Sequence, residues 1–220
     1  METDIDMSIA TPRKSKIASF LKSYGPSTIK KLLWDKEFSQ GQWDFIDDTT
    51  GDCVYENLEK YAKNGNILDL GCGPGNTANE LAVSAYQSYV GVDISEAALE
   101  KARKRTIENG RAEKNTFVRG DFVSYEPIQK FDVILFRESI YHVPMGKIKE
   151  TLEHFSHYLK EGGVLMVRLF TADKGSGGKE KPRPTAMIQI METEFDVVEK
   201  NRYEGERHPH VLVLRPKRHA

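Results

Sequence analysis

Residues 67–77 read Ile-Leu-Asp-Leu-Gly-Cys-Gly-Pro-Gly-Asn-Thr, and no other stretch restricts the possible folds as strongly. A short apolar run that ends in alternating glycines is a buried strand leaving its sheet through a turn almost free of side chains, with a helix behind it. With Gly71, Gly73 and Gly75 in the turn, a ligand can lie directly against the backbone. The helix that follows would aim its free N–H groups at the same place. Asp69 sits two residues before the first glycine and brings a carboxylate to the strand end.

Two competing readings of this run stay open: a tight strand-to-helix turn without a ligand, and the dinucleotide fingerprint G-x-G-x-x-G. The fingerprint fits poorly, because its third glycine would fall at Asn76. A pyrophosphate also gains nothing from a carboxylate at the strand end, whereas a ligand carrying an ammonium group does.

The chain has 220 residues, enough for one domain with a core and an N-terminal extension. Its net charge of −1, with acids and bases interspersed, gives no electrostatic footprint for nucleic acid or an anionic membrane. No run approaches the roughly 18 apolar residues of a membrane span. Residues 1–16 are polar, read as a flexible arm, and lack the apolar core of a secretory signal. Cys53 and Cys72 have neither metal nor redox spacing, and a cytoplasmic setting fits them.

From residue 66 onward strands alternate with helices. Strands are expected at 66–71, 89–93, 116–119, 131–136, 164–170, 195–199 and 211–214. Helices are expected at about 75–86, from Ser95 to Asn109, from Pro144 through an apolar face of Met145, Ile148, Leu152, Phe155 and Leu159, and at about 185–193. Continuous apolar strands between helices imply a mostly parallel sheet covered on both faces, a three-layer α/β/α sandwich. About ten polar residues separate the last two strands, too few for a parallel crossover, so the seventh strand should be antiparallel. Ahead of the sheet, short helices at 27–38 and 52–63 suggest a cap. The chain divides into an arm and helical cap at 1–50 and a main domain at 51–220.

Ligands in such sheets bind beyond the carboxyl ends of the strands. There the second strand ends in Asp93-Ile94, the third leads into Gly120-Asp121-Phe122, and the fourth ends Phe136-Arg137-Glu138-Ser139-Ile140-Tyr141-His142. An acid at 93 can take both hydroxyls of a ribose, or can serve the start of the next helix. Gly-Asp at 120–121 can offer a carboxylate to an exocyclic amino group, or is only a turn.

The order acid-x-Gly-x-Gly-x-Gly, then Asp93, then Asp121-Phe122 resembles class I S-adenosylmethionine (SAM) dependent methyltransferases over residues 50–216, most specifically in the first half. The resemblance implies that Gly71, Gly73 and Gly75 surround the methionyl part of SAM and that Asp69 helps to hold its ammonium group. Asp93 with Ile94 would hold the ribose, Asp121 with Phe122 the adenine, and Arg137 would complete the cofactor site; the product would be S-adenosylhomocysteine. The Asn-Pro-Pro-Tyr motif of DNA and amide methylation is absent. Glu138-x-x-Tyr141-His142 lacks one carboxylate of the metal-dependent RNA 3′-end pattern, and no metal is expected.

His142 is the best candidate for a base, since an imidazole of pKa about 6.5 is largely a proton acceptor at pH 7. The alternative is a polar residue packing the start of the next helix. Glu138 could meet substrate or cap; His154 and His157 should be solvated. Trp34, Phe38, Trp43 and Phe45 either close over the site or glue the cap to the sheet, and their spacing favours glue. The segment 171–184 is a loop whose Lys174, Lys179, Lys181 and Arg183 could meet an anionic partner. The expected activity is methyl transfer to an O or N atom of a small molecule. Protein or RNA methylation, SAM binding without catalysis, and a dinucleotide oxidoreductase remain the alternatives.

Overall fold

The computed structural model describes residues 16–44, 49–173, 178–205 and 207–217. Seven strands form one sheet: β1 (Gly65–Leu70), β2 (Tyr86–Asp93), β3 (Asn115–Arg119), β4 (Phe131–Arg137), β5 (Leu159–Phe170), β6 (Phe195–Arg202) and β7 (Pro209–Pro216). Their order is β3-β2-β1-β4-β5-β7-β6. The first five run parallel, and β7 is antiparallel to both β5 and β6. This is the expected sandwich with its antiparallel last strand. Chain order reverses between β1 and β4, which opens a crevice at their carboxyl ends.

Alternation along each strand sends its residues to two separate cores. Leu68, Leu70, Ile134, Phe136, Leu165 and Val167 pack against Ile148, Leu152 and Phe155 of α6 (Ile148–Ser156) and against Met187 and Met191 of α7 (Pro182–Glu194). Ile67, Val133, Leu135 and Met166 face the other way, onto Val54, Leu58 and Ala62 of α3 (Val54–Ala62) and Ala78 of α4 (Asn76–Glu80). α5 (Glu96–Glu108) is capped by the Ser95 hydroxyl, which accepts from the Ala98 N–H. α1 (Lys16–Tyr24) and α2 (Ser27–Ser39) form the cap.

Several boundaries differ from expectation for identifiable reasons. The helix after the glycine turn ends at Glu80, not near 86. Side chains from beyond α5 take its last carbonyls: Arg111 donates to the Ala78 and Leu81 oxygens, and Asn115 Nδ2 to Ala78. β2 therefore starts at Tyr86, whose hydroxyl also donates to the Ala78 oxygen. The helix expected from Pro144 begins with a 3₁₀ turn at Met145–Lys147, and Leu159 belongs to β5, opposite Phe131. α1 was not expected. α7 starts at Pro182, so the loop at 171–184 is shorter than expected; Lys181 pairs with Asp173, and Arg183 donates to the Tyr141 and Val143 carbonyls. The arm at 1–15, Phe45 and Lys174 lie outside the described residues. His154 is half-buried against Phe155 and Tyr158 rather than solvated, while His157 is exposed. No helix among the described residues is long and apolar enough to cross a membrane.

Candidate functional site

The glycine turn is fastened to β2 by the Gly71 and Cys72 N–H groups, which donate to the Val92 carbonyl at 2.8 and 3.1 Å. All three glycines have left-handed backbone, φ +82°, +53° and +74°. Their surroundings separate their roles. A Cβ on Gly71 would lie 2.5 Å from Ser139 Cβ, and one on Gly75 would lie 2.7 Å from Ala102 Cβ of α5. A Cβ on Gly73 would meet only Phe38 Cζ, at 3.9 Å, and otherwise points into open space. Gly71 and Gly75 thus serve close packing, and Gly73 keeps a cavity clear. α4 has only five residues, so the turn itself, more than a helix field, shapes this end of the site.

Asp69 is buried on the α3 side of β1. Its Oδ2 accepts from the Tyr89 hydroxyl at 2.6 Å, and its Oδ1 is buried without a hydrogen-bond partner. Burial pushes its pKa up to about 6, against the pull of Tyr89, Arg137 and the Thr77 side chain, which stands near without forming a well-aligned hydrogen bond to Oδ1. Asp93, also buried, accepts from the Gly73 N–H at Oδ2 and the Ser95 N–H at Oδ1, both at 2.9 Å. Burial raises it to about 6 despite these bonds. Asp93 therefore pins the glycine turn to α5 while facing the crevice; the capping role belongs to Ser95. Asp121 accepts from the Val123 N–H at Oδ1 and, at Oδ2, from Ser27 Oγ at 2.9 Å and Lys30 Nζ at 3.0 Å. Helix α2 thus reaches over the sheet edge to grip it.

Two cavities adjoin. The first, about 160 Å³, lies between cap and sheet; Asp93, Ile94, Asp121, Phe122, His142 and Arg137 all border it. Trp34, Phe38 and Trp43 form its other wall, with ring centroids 5.5 to 6.3 Å apart. Only Phe38 of the three is fully buried, so these aromatics line a cavity and are not mere glue. The His142 ring meets Trp34 edge-on at 4.8 Å. The second cavity, about 330 Å³, lies beyond Gly71 and Gly73 and is bordered by Asp69, Asn76 and Thr77 on one side and by Asp52, Arg168, Phe170 and Arg207 on the other. Trp43, Gly71, Gly73, Arg137 and Glu138 border both cavities.

The structure brings Asp69, Gly71, Gly73, Asp93, Ile94, Asp121, Phe122, Arg137 and His142 around one two-part crevice, with Gly75 behind it. The ion cluster of the second cavity was not expected from the sequence. Asp52 receives Arg137 Nη2 at 2.8 Å and Arg168 Nη2 at 3.1 Å, and Arg168 Nη1 donates to Glu138 Oε1 at 2.5 Å. Burial works to raise the Asp52 pKa, but the two guanidinium groups outweigh it and hold the carboxyl below the ordinary range. Burial raises Glu138 against Arg168. Glu138 also has φ +58°, a strained backbone for a residue with a Cβ, at the junction of the two cavities. One signal was available: Arg168 is a charge inside the apolar run 164–170, and a buried charge needs partners.

Residues 34–217 match the family model described as "Methyltransferase domain". The chain belongs to that family. It is 31% identical over 149 residues to probable thiol methyltransferase 2 of Arabidopsis thaliana, covering 66% of this chain and 64% of that one. It is 27% identical over 155 residues to the 27-O-demethylrifamycin SV methyltransferase of Amycolatopsis mediterranei, covering 67% and 56%. The chain thus spans less than two thirds of the length of these relatives. Among solved structures, the N-methyltransferase NodS from Bradyrhizobium japonicum in complex with S-adenosylhomocysteine superposes with a TM-score of 0.64 at 16% identity, over 84% of this chain and 98% of that one. That likeness is one of fold.

Proposed function

We propose that this protein binds SAM in the two-part crevice and methylates an O or N atom of a small molecule. One observation carries the reading: at the carboxyl ends of β1 and β2, the open backbone at Gly73 adjoins a buried Asp69 Oδ1 that has no partner. An unpaired buried carboxylate oxygen is costly, and an ammonium group satisfies it. The residues therefore fit an amino-acid-bearing cofactor.

Bound SAM supplies a methyl group on a cationic sulfur, already activated for in-line displacement. The chain's own residues bind and align. Gly71, Gly73 and Gly75 leave room along the turn, and Asp69 holds the ammonium group. Asp93, whose oxygens each keep a lone pair beyond the backbone bonds, takes the ribose hydroxyls with Ile94 beside it. Asp121 and Phe122 receive the adenine, and Arg137 stands at the methionyl end. Trp34, Phe38 and Trp43 exclude water. His142, on the first-cavity wall, accepts the acceptor's proton. The relatives named for thiol and rifamycin methylation support a small-molecule acceptor. Free Cys53 and Cys72 suit a cytoplasmic location.

Calorimetry with SAM, S-adenosylhomocysteine and NAD tests the cofactor. Binding of the first two with a rise in thermal stability is expected, and binding of NAD alone would overturn the assignment. Methyl incorporation from labelled SAM into a metabolite extract then tests turnover.

A further inference from the structure

The second cavity is bordered by three arginines, Arg137, Arg168 and Arg207, and by three carboxylates, Asp52, Asp69 and Glu138, but the ion pairs do not use them evenly: Arg137 and Arg168 share Asp52, and Arg168 also takes Glu138. Arg137 and Arg168 are committed to those two. Arg207 is not. Its side chain makes no hydrogen bond or ion pair among the described residues, and its Nε is buried without a partner. Its guanidinium carbon instead lies 3.6 Å from the centroid of the Phe170 ring, which also has the Arg168 guanidinium at 3.9 Å. Phe170 is itself fixed at its backbone, since the Tyr141 hydroxyl both donates to its carbonyl and accepts from its N–H. A guanidinium laid on an aromatic face keeps its N–H edge directed outward in a fixed plane.

We infer that Arg207, held on Phe170 beside Arg168, is the docking site for a carboxylate on the methyl acceptor, so that the substrate is a small organic acid. A planar carboxylate matches the guanidinium fork with two parallel hydrogen bonds, and the desolvated Nε gains a partner. The half-buried Phe170 ring borders the same cavity and provides an apolar surface for the carbon skeleton next to that carboxylate. The site lies on the far side of Glu138 from the first cavity, with Arg168 and Arg207 bordering only the second cavity. A carboxylate bound there leaves the rest of the acceptor extending toward Trp43 and Glu138, which border both cavities. This assignment rests on the methyltransferase reading for the identity of the ligand as an acceptor.

The test uses the full chain saturated with S-adenosylhomocysteine, titrated with benzoate, acetate and, as the neutral control, benzamide; calorimetry reads binding, and Trp43 fluorescence follows it because that ring borders both cavities. Benzoate should bind roughly tenfold or more tightly than benzamide. Arg207→Gln should remove that preference, and Arg207→Lys should restore part of it, with S-adenosylhomocysteine affinity unchanged in both. Equal binding of benzoate and benzamide, no saturable binding of either acid, or an unaltered preference in Arg207→Gln would overturn the inference. A parallel loss of S-adenosylhomocysteine affinity in Arg207→Gln would also overturn it, assigning Arg207 to the cofactor. If S-adenosylhomocysteine itself fails to bind while benzoate still binds through Arg207, the methyltransferase reading falls and the acid site stands.

Discussion

The two cavities share a wall but are built by different means. In the first, the carboxylates are anchored by backbone: Asp93 accepts from the N–H groups of Gly73 and Ser95, and Asp121 from that of Val123. In the second, side chains hold one another, with Asp52 between Arg137 and Arg168 and Glu138 on Arg168. Backbone anchoring needs the chain path to bring an N–H to the carboxylate, whatever side chain the donor residue carries; only Asp121 adds side-chain donors, Ser27 and Lys30. Side-chain anchoring needs three distant segments, at 52, 137–138 and 168, in register at once, and removing one member strands the others in a medium of low dielectric constant.

The largest effect should come from breaking the side-chain cluster. Arg168→Leu leaves Asp52 and Glu138 short of a cation and should cost about 3–5 kcal/mol in urea unfolding; a loss below ~1 kcal/mol would mean that water already screens the cluster. On the backbone-anchored side, His142→Ala should lower turnover by about 10²-fold with S-adenosylhomocysteine affinity retained. Equal losses of affinity and stability would make His142 a packing partner of Trp34 only.

The two kinds of glycine sharpen the contrast within the turn. Gly71→Ala combines left-handed strain with a contact of 2.5 Å to Ser139 Cβ and should cost roughly 2 kcal/mol or more of stability. Gly73→Ala carries strain of about 1–2 kcal/mol, and its main readout should be weakened S-adenosylhomocysteine binding. The reverse pattern would remove Gly73 from the ligand site.

The smallest effect is a pH dependence. The Asp69 carboxyl is raised from 3.8 to about 6, so between about pH 4 and 6 the ligand-free protein holds a proton there that the unfolded chain has lost. Its contribution to stability is full below about pH 4 and disappears as pH rises through about 6. An ammonium ligand favours the ionised form, so binding expels that proton. S-adenosylhomocysteine affinity should therefore rise with pH, at most about tenfold per pH unit, and level off above about 6. Asp69→Asn should flatten this rise; an equal slope in both proteins would assign it to Asp93, which titrates near the same value.

The same difference decides what the sequence disclosed. The turn at 71–75, Asp93 and Asp121 sit in short contiguous motifs, and the antiparallel β7 follows from a connection too short to cross over. These features are local, and the sheet order agrees with them. The second cavity is invisible to local reading because Asp52, Arg137, Arg168 and Arg207 come from four elements, and only the charge at 168 broke a pattern. Helix lengths failed where tertiary donors intervened, as Arg111 and Asn115 do at the end of α4. Trp34 and Trp43 have the spacing of packing residues; that they face a cavity depends on where α2 docks, through Asp35 on Ser95 and Arg119.

The grip of α2 on Asp121 has a thermodynamic consequence. Its Oδ2 already accepts from two donors, Ser27 and Lys30, so an occupant that claims this oxygen must dislodge one of them. Occupancy and helix position then share a single free energy, and by reciprocity whatever loosens α2 changes the ligand's affinity by the same factor. An occupant that takes the Asp121 oxygen therefore competes with Ser27 and Lys30 on the rim of the first cavity, and substitutions at these two positions should change its affinity without touching the glycine turn at the floor.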